Sequence, residues 1–103
     1  MKKYQVSSPQ DKSPQFQYYN NFSKILFAGK WYHLGIMQAK VIKQLYHASL
    51  TDSPWIFGKE LLYKAGSESI RMRDLFKSQN GWQELIESDH KGNYRLKFPK
   101  NIG

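Results

Sequence analysis

The tripeptide Ala65-Gly66-Ser67 constrains this chain more than any other feature. It separates two short stretches of helical character. Gly58 to Ala65 sets Leu61, Leu62 and Ala65 on one side, and Ser67 to about Lys77 does the same with Met72, Leu75 and Phe76. A glycine just past a helix takes the left-handed conformation at little cost and turns the chain sharply. Ser67 is then expected to cap the next helix, with Glu68 favourably placed in its first turn. Two helices joined so tightly must cross rather than continue, and their apolar faces need a common core.

The flanking segments supply that core. From Ile36 to Ala48, Gln38, Val41, Ile42, Leu45 and Ala48 recur at helical spacing, with Lys40, Lys43, Gln44 and His47 on the other face. Gly35 occupies the N-cap position, and Asp52-Ser53-Pro54 ends the region because the residue before proline disfavours the helical conformation. Ahead of this helix, Phe22–Phe27 and Trp31–Leu34 are β-favouring runs around Ala28-Gly29-Lys30, which predicts a hairpin. Trp55-Ile56 reads as a short extended piece. After Gly81, Trp82 to Ser88 reads as a strand and Asp89-His90-Lys91-Gly92-Asn93 as a turn. Tyr94, Leu96 and Phe98 then alternate with Arg95 and Lys97, and Pro99 closes the run. Met1 to Asn21, rich in Ser, Gln, Pro and Lys, is expected to be a flexible basic tail, with Tyr18, Tyr19 and Phe22 marking where it docks. The expected division is a tail over 1–21, an α+β domain over 22–99 and a short C-terminal tail over 100–103.

Composition narrows the function. With 40% hydrophobic and 16% aromatic residues the chain can pack a core. No apolar run approaches the roughly 20 residues of a membrane span, and the start lacks the apolar stretch of a signal peptide. Without cysteine there is neither disulfide nor thiolate metal site. A cytoplasmic protein with no membrane partner is the expectation. The net charge of +8 is uneven: residues 21–50 carry Lys24, Lys30, Lys40 and Lys43 with no acid, whereas 51–66 balance to zero. Such a surplus attracts polyanions, although a soluble basic protein without a nucleic-acid role has the same charge.

The order hairpin, helix, helix, tight turn, helix, hairpin resembles the winged helix-turn-helix DNA-binding proteins. The likeness covers about Phe22 to Phe98. It rests on Leu34-Gly-Ile-Met-Gln-Ala-Lys-Val-Ile-Lys-Gln-Leu45, Gly58-Lys-Glu-Leu-Leu62 with Ala65-Gly66-Ser67, Asp74-Leu-Phe76, Trp82-Gln-Glu-Leu-Ile86 and Gly92-Asn-Tyr-Arg-Leu96. The leading hairpin is similar to the effector domains of response regulators. The roughly 20 residues ahead of it leave no room for a receiver domain, so small stand-alone bacterial and phage proteins are the nearer resemblance. The resemblance implies three helices with an N-terminal hairpin and a C-terminal hairpin wing. It also implies double-stranded DNA as partner and transcriptional regulation as the role. A homodimer is left open.

In that arrangement the third helix enters the major groove. Ile70, Asp74 and Lys77 would point outward, with Arg71 and Arg73 flanking them; arginine can pair with guanine and Ile70 can meet a thymine methyl. Ser67 and Ser69, with the helix N-terminal amides, are candidates to hold a phosphate. On the wing, His90, Lys91, Asn93 and Arg95 are candidate contacts, and Lys40 and Lys43 are candidates for the DNA backbone. Each has an ordinary alternative: a solvated helix face with an Arg71–Asp74 pair, a solvated turn, or charge that serves solubility.

Catalysis is not expected. His33, His47 and His90 fall on three different elements, and there is no metal-binding spacing or Gly-rich phosphate loop. Glu84, Glu87 and Asp89 read as the outer side of a strand, and Trp31, Trp55 and Trp82 as core. No cofactor and no small-molecule ligand is indicated. The rival is a winged helix used as a protein-interaction or assembly module, for which exposed Ile70 is suited. Single-stranded nucleic acid is a third reading and needs exposed aromatics, with Tyr46, Tyr63 and Tyr94 as candidates.

Overall fold

The computed structural model describes residues 16–97, which form an α+β unit with three α-helices and two three-stranded antiparallel sheets. The first sheet contains β1 (Phe16–Tyr19), β2 (Lys24–Phe27) and β3 (Lys30–His33) in that order. Helix α1 (Ile36–Ser49) follows, then β4 (Ile56–Phe57), α2 (Gly58–Ala65) and α3 (Met72–Phe76). A 3₁₀ turn over Trp82–Glu84 leads into β5 (Ile86–Ser88) and β6 (Asn93–Leu96). The second sheet runs β4-β6-β5, so the strand between α1 and α2 lies along β6, the last strand among the described residues.

The expected tail is corrected over residues 16–21, which belong to the fold; residues 1–15 lie outside the described residues, as do Phe98, Pro99 and the expected C-terminal tail. Strand β1 pairs with β2 in the register Phe16↔Phe27 to Tyr19↔Lys24. The connection passes through Asn20, Asn21 and Phe22, all at positive φ (52°, 56° and 70°). Asparagine tolerates that region; a bulky residue does so only when the surroundings hold it. Phe22 is held by burial: its ring stacks on Tyr18 at 4.0 Å and lies 5.5 Å from Tyr46 of α1. The expected hairpin forms around a two-residue turn, Ala28-Gly29, with both φ values positive as the twist of a tight hairpin requires.

Helix α1 buries Gln38, Ala39, Val41, Ile42 and Leu45 against the other helices and the second sheet. Gln38 works at both ends of its amide. Its Oε1 accepts the Gly35 N–H at 3.0 Å, which caps the helix, and its Nε2 donates to the Leu75 carbonyl at 2.9 Å. That second bond fastens α3 to the start of α1.

Helix α2 ends as its glycine implies. Gly66 has φ 78°, its N–H donates to the Tyr63 carbonyl at 3.0 Å, and the Ser67 N–H donates to the Leu62 carbonyl at 3.0 Å. These two bonds are the Schellman arrangement. A β-carbon at Gly66 would meet nothing within 4 Å, so its whole cost is backbone strain. Gly66→Ala is expected to lower stability by about 1–2 kcal/mol in a urea titration, and an unchanged midpoint would contradict the left-handed turn.

Two helix-to-strand expectations are corrected. The third helix does not begin at Ser67. Ser67 Oγ accepts the Ser69 N–H at 3.0 Å, a local turn that competes with helix formation. Arg71 is still extended (φ −128°, ψ 151°) and is itself the N-cap residue, so α3 has five residues. The segment from Trp82 is likewise a 3₁₀ turn before it becomes a strand, because Gly81 enters at φ 78° and Trp82 swings its ring onto Phe76, centroid to centroid 5.4 Å. Trp31 and Trp55 are exposed rather than core.

Candidate nucleic-acid interface

One open cleft of about 230 Å³ gathers three elements that are distant in sequence: Phe57 to Leu62 at the start of α2, Ile70 to Met72 ahead of and into α3, and Gly92 with Tyr94 on the β5–β6 hairpin. The Gly58 N–H donates to the Gly92 carbonyl at 2.8 Å and ties hairpin to helix. The walls are mostly apolar, with Lys59 and Arg71 supplying charge.

On the segment between Gly66 and α3, Ile70 is 75% exposed, its side chain free of the core. Arg71 Nε donates to Asp74 Oδ2 at 3.3 Å, an exposed pair of three-residue spacing. This gives Asp74 a structural partner, and such pairs contribute little, about 0.2–1 kcal/mol. Arg73 and Lys77 are exposed and belong to no ion pair among the described residues. Ser67 and Ser69 are half-buried in their own turn, and the α3 amides begin after Arg71. The expected phosphate cradle of Ser67, Ser69 and a helix N-terminus is therefore not assembled.

The hairpin turn is organised by Asp89. Its Oδ1 accepts the N–H groups of Lys91 (2.7 Å) and Asn93 (3.0 Å), and its Oδ2 accepts Asn93 Nδ2 at 2.8 Å. His90 sits at φ 62° with its N–H donated to Ser88 Oγ at 2.9 Å. Asn93 is thus committed to the turn, leaving the exposed His90 and Lys91 as the side chains at its tip. Arg95 is committed as well: Nε donates to Glu87 Oε1 at 2.9 Å and the guanidinium lies 4.7 Å from the Trp55 ring centroid.

The hydrogen bonds from Asn93, side chain first and then backbone, hold the Asp89 carboxyl below its ordinary 3.8, with Lys91 adding to the effect. Because the folded value is depressed, the turn's stabilisation is present above 3.8 and is lost as pH falls through the lowered value. In an NMR pH titration the Lys91 and Asn93 amide resonances should move together with a midpoint below 3.8; a midpoint at or above 3.8 would refute this account of the turn.

Lys40 and Lys43 are exposed but stand apart from this cleft. At about 100° per residue they lie roughly 200° and 140° around α1 from Gln38, the residue that holds α3. Lys43 Nζ instead reaches Asn21 Oδ1 at 3.3 Å, beside the β1–β2 connection. Of the three tyrosines, Tyr46 belongs to the aromatic cluster around Phe22, Tyr94 lines the cleft, and Tyr63 on α2 is 84% exposed.

Lys59 was not singled out by sequence, since a lysine in the first turn of a helix carries no signal; the cleft alone gives it a place. Among the described residues no three His, Cys, Asp or Glu side chains converge as metal ligands, and no helix is long and apolar enough to cross a membrane. No protein-family model, curated protein or solved structure matches the chain.

Proposed function

We propose that this chain binds double-stranded DNA in the manner of a winged helix-turn-helix domain, with the segment from Ile70 through α3 in the major groove and the β5–β6 turn as the wing. The observation that carries the reading is the cleft that brings Ile70 and Arg71 beside the start of α2 and the β5–β6 hairpin; exposed Arg73 and Lys77 follow on and just after α3, and exposed Lys91 stands at the hairpin tip. Lys59 and Arg71 line the cleft. Ile70 is the apolar contact suited to a thymine methyl, and Arg73 has no acidic partner among the described residues to give up on binding. Ser67, Ser69, Asn93 and Arg95, half-buried and hydrogen-bonded within their own turns and strands, position these groups rather than touch DNA.

The test is binding of the full chain to a pool of random 20-base-pair duplexes across a salt series. If Lys59, Arg71, Arg73, Lys77 and Lys91 reach about five phosphates, log Kd should rise with log salt at a slope of about 4.5. Absence of binding at low salt would overturn the reading.

A second reading has one observation in its favour. Phe57, Leu62, Ile70, Met72 and Tyr94 give the cleft largely apolar walls, which suit an apolar side chain of a protein partner. Under that reading duplex binding is weak or absent, while Ile70→Asp abolishes partner binding.

A further inference from the structure

The first sheet has a second face. Side chains alternate across a strand, so Phe16, Ile25, Phe27 and Tyr32 face the core while two rows face away from it. By register these rows are Gln17–Leu26–Trp31 and Tyr19–Lys24–His33. Tyr19 is 44% and Trp31 47% exposed, with ring centroids 5.9 Å apart and planes tilted by 37°. Lys24 Nζ stands 5.1 Å from the Trp31 ring centroid. The Tyr19 hydroxyl donates to Gln17 Oε1 at 2.8 Å, so one ring is oriented by its own strand.

Charge favours the same half of the chain, although on the outer face itself the cation is Lys24, Lys30 lying in the opposite row and Lys40 and Lys43 on α1. From residue 12 through residue 51 the sequence contains no Asp or Glu, while Lys24, Lys30, Lys40 and Lys43 lie within that stretch. Residues 52–97 hold seven acidic and eight basic side chains, a net of +1. Among the described residues only Lys30 of those four lysines meets an acid, Glu84, at 3.9 Å. The half of the described chain with the exposed paired aromatics therefore also carries most of its surplus charge. A ligand that complements both needs flat π faces and a repeated negative charge within a base-to-phosphate distance of one another. Single-stranded nucleic acid has these; in a duplex the base faces are already stacked and hidden.

We propose that the outer face of the β1–β3 sheet binds single-stranded nucleic acid, with Tyr19 and Trp31 as platforms for bases and Lys24 and His33 against the backbone. The site shares no residue with the α3 and wing surface, so it stands or falls independently of duplex binding.

The test uses the full chain with fluorescent dT20, rU20, a 20-residue abasic deoxyribose-phosphate strand and a 20-base-pair duplex. The expected result is binding of dT20 or rU20 at least about tenfold tighter than the abasic strand, since stacking and not charge alone is at work. The stronger of the two tells DNA from RNA. Tyr19→Ala/Trp31→Ala should weaken single-strand binding about 100-fold, roughly tenfold per ring, and leave duplex binding unchanged. Tyr19→Phe/Trp31→Phe should stay within about threefold of wild type. Equal affinity for the abasic strand, an undiminished dT20 affinity in the alanine variant, or binding to neither single strand would overturn the proposal. Binding of a fluorescent acidic aromatic peptide that is lost in the alanine variant, without any single-strand binding, would overturn the proposal and assign the face to a protein. Should the alanine variant lose its helical circular dichroism, a Trp55→Phe/Trp82→Phe chain decides. Quenching of Trp31 fluorescence by dT20 or rU20 supports the site, and no quenching by either overturns it.

Discussion

Replacing Arg71 and Arg73 together by alanine should weaken duplex binding about 100-fold and lower the salt slope by about two, with the fold unchanged. Arg73 is exposed and belongs to no ion pair among the described residues, so removing it costs nothing in stability. Arg71 has the Asp74 carboxylate at 3.3 Å, but both partners are largely in solvent and the pair contributes well under 1 kcal/mol after screening. Each arginine that reaches a phosphate or a base edge contributes about 1–3 kcal/mol to binding, and 1.4 kcal/mol is a factor of ten. Fluorescence anisotropy over a salt series, beside a urea titration of the same variant, separates lost contact from lost fold. Unchanged affinity with an intact fold would remove α3 from the interface and favour the protein-docking reading of the cleft.

Phe76→Ala should cost about 3–5 kcal/mol of stability, the largest effect expected of a single substitution here. The ring has no solvent exposure and stacks on Trp82 at 5.4 Å with planes 23° apart. It joins α3 to the 3₁₀ turn that delivers the β5–β6 hairpin. A domain of this size has a total stability of only about 4–12 kcal/mol, so the loss is a large share of the whole. The melting temperature should fall by more than about 12 °C, and under the proposed reading duplex binding should weaken with it because α3 and the hairpin lose their anchor. Ile36→Ala, at a position 76% exposed, should leave stability within about 0.5 kcal/mol and serves as the control. A cost below about 1 kcal/mol at Phe76 would show that α3 is not held through this ring.

How far the molecule could be read from its sequence depends on the range of the forces at each place. Helix α1 runs Ile36–Ser49 where periodicity marks Ile36 to Ala48, and α2 runs Gly58–Ala65 with the left-handed Gly66 where the glycine demands it. The Ala28-Gly29 and Asp89–Asn93 turns also fall where local chemistry puts them. The α3 start did not follow the same logic. Ser67 has the composition of an N-cap, and its hydroxyl does accept the Ser69 N–H, yet the backbone stays non-helical through Arg71 (φ −128°, ψ 151°), so the cap position falls to Arg71. Strand β1 was equally hidden: four residues, Phe-Gln-Tyr-Tyr, make too short a run to signal a strand without β2 beside them.

The candidate sites divide the same way. That the chain is basic, and that its acid-free stretch surrounds Lys24, Lys30, Lys40 and Lys43, is a property of composition alone. Which cations remain available is not. Arg95 is bound to Glu87 and covers Trp55, Asn93 closes a turn on Asp89, and Lys43 reaches back to Asn21, whereas Arg73, Lys77 and Lys91 extend into solvent. Helical period, glycine stereochemistry and charge count act within a few residues, and the sequence determined them by itself. Strand partners, the true first turn of α3 and the exposure of each charged or aromatic side chain depend on groups brought together across the chain, and only packing of the tertiary structure decided them.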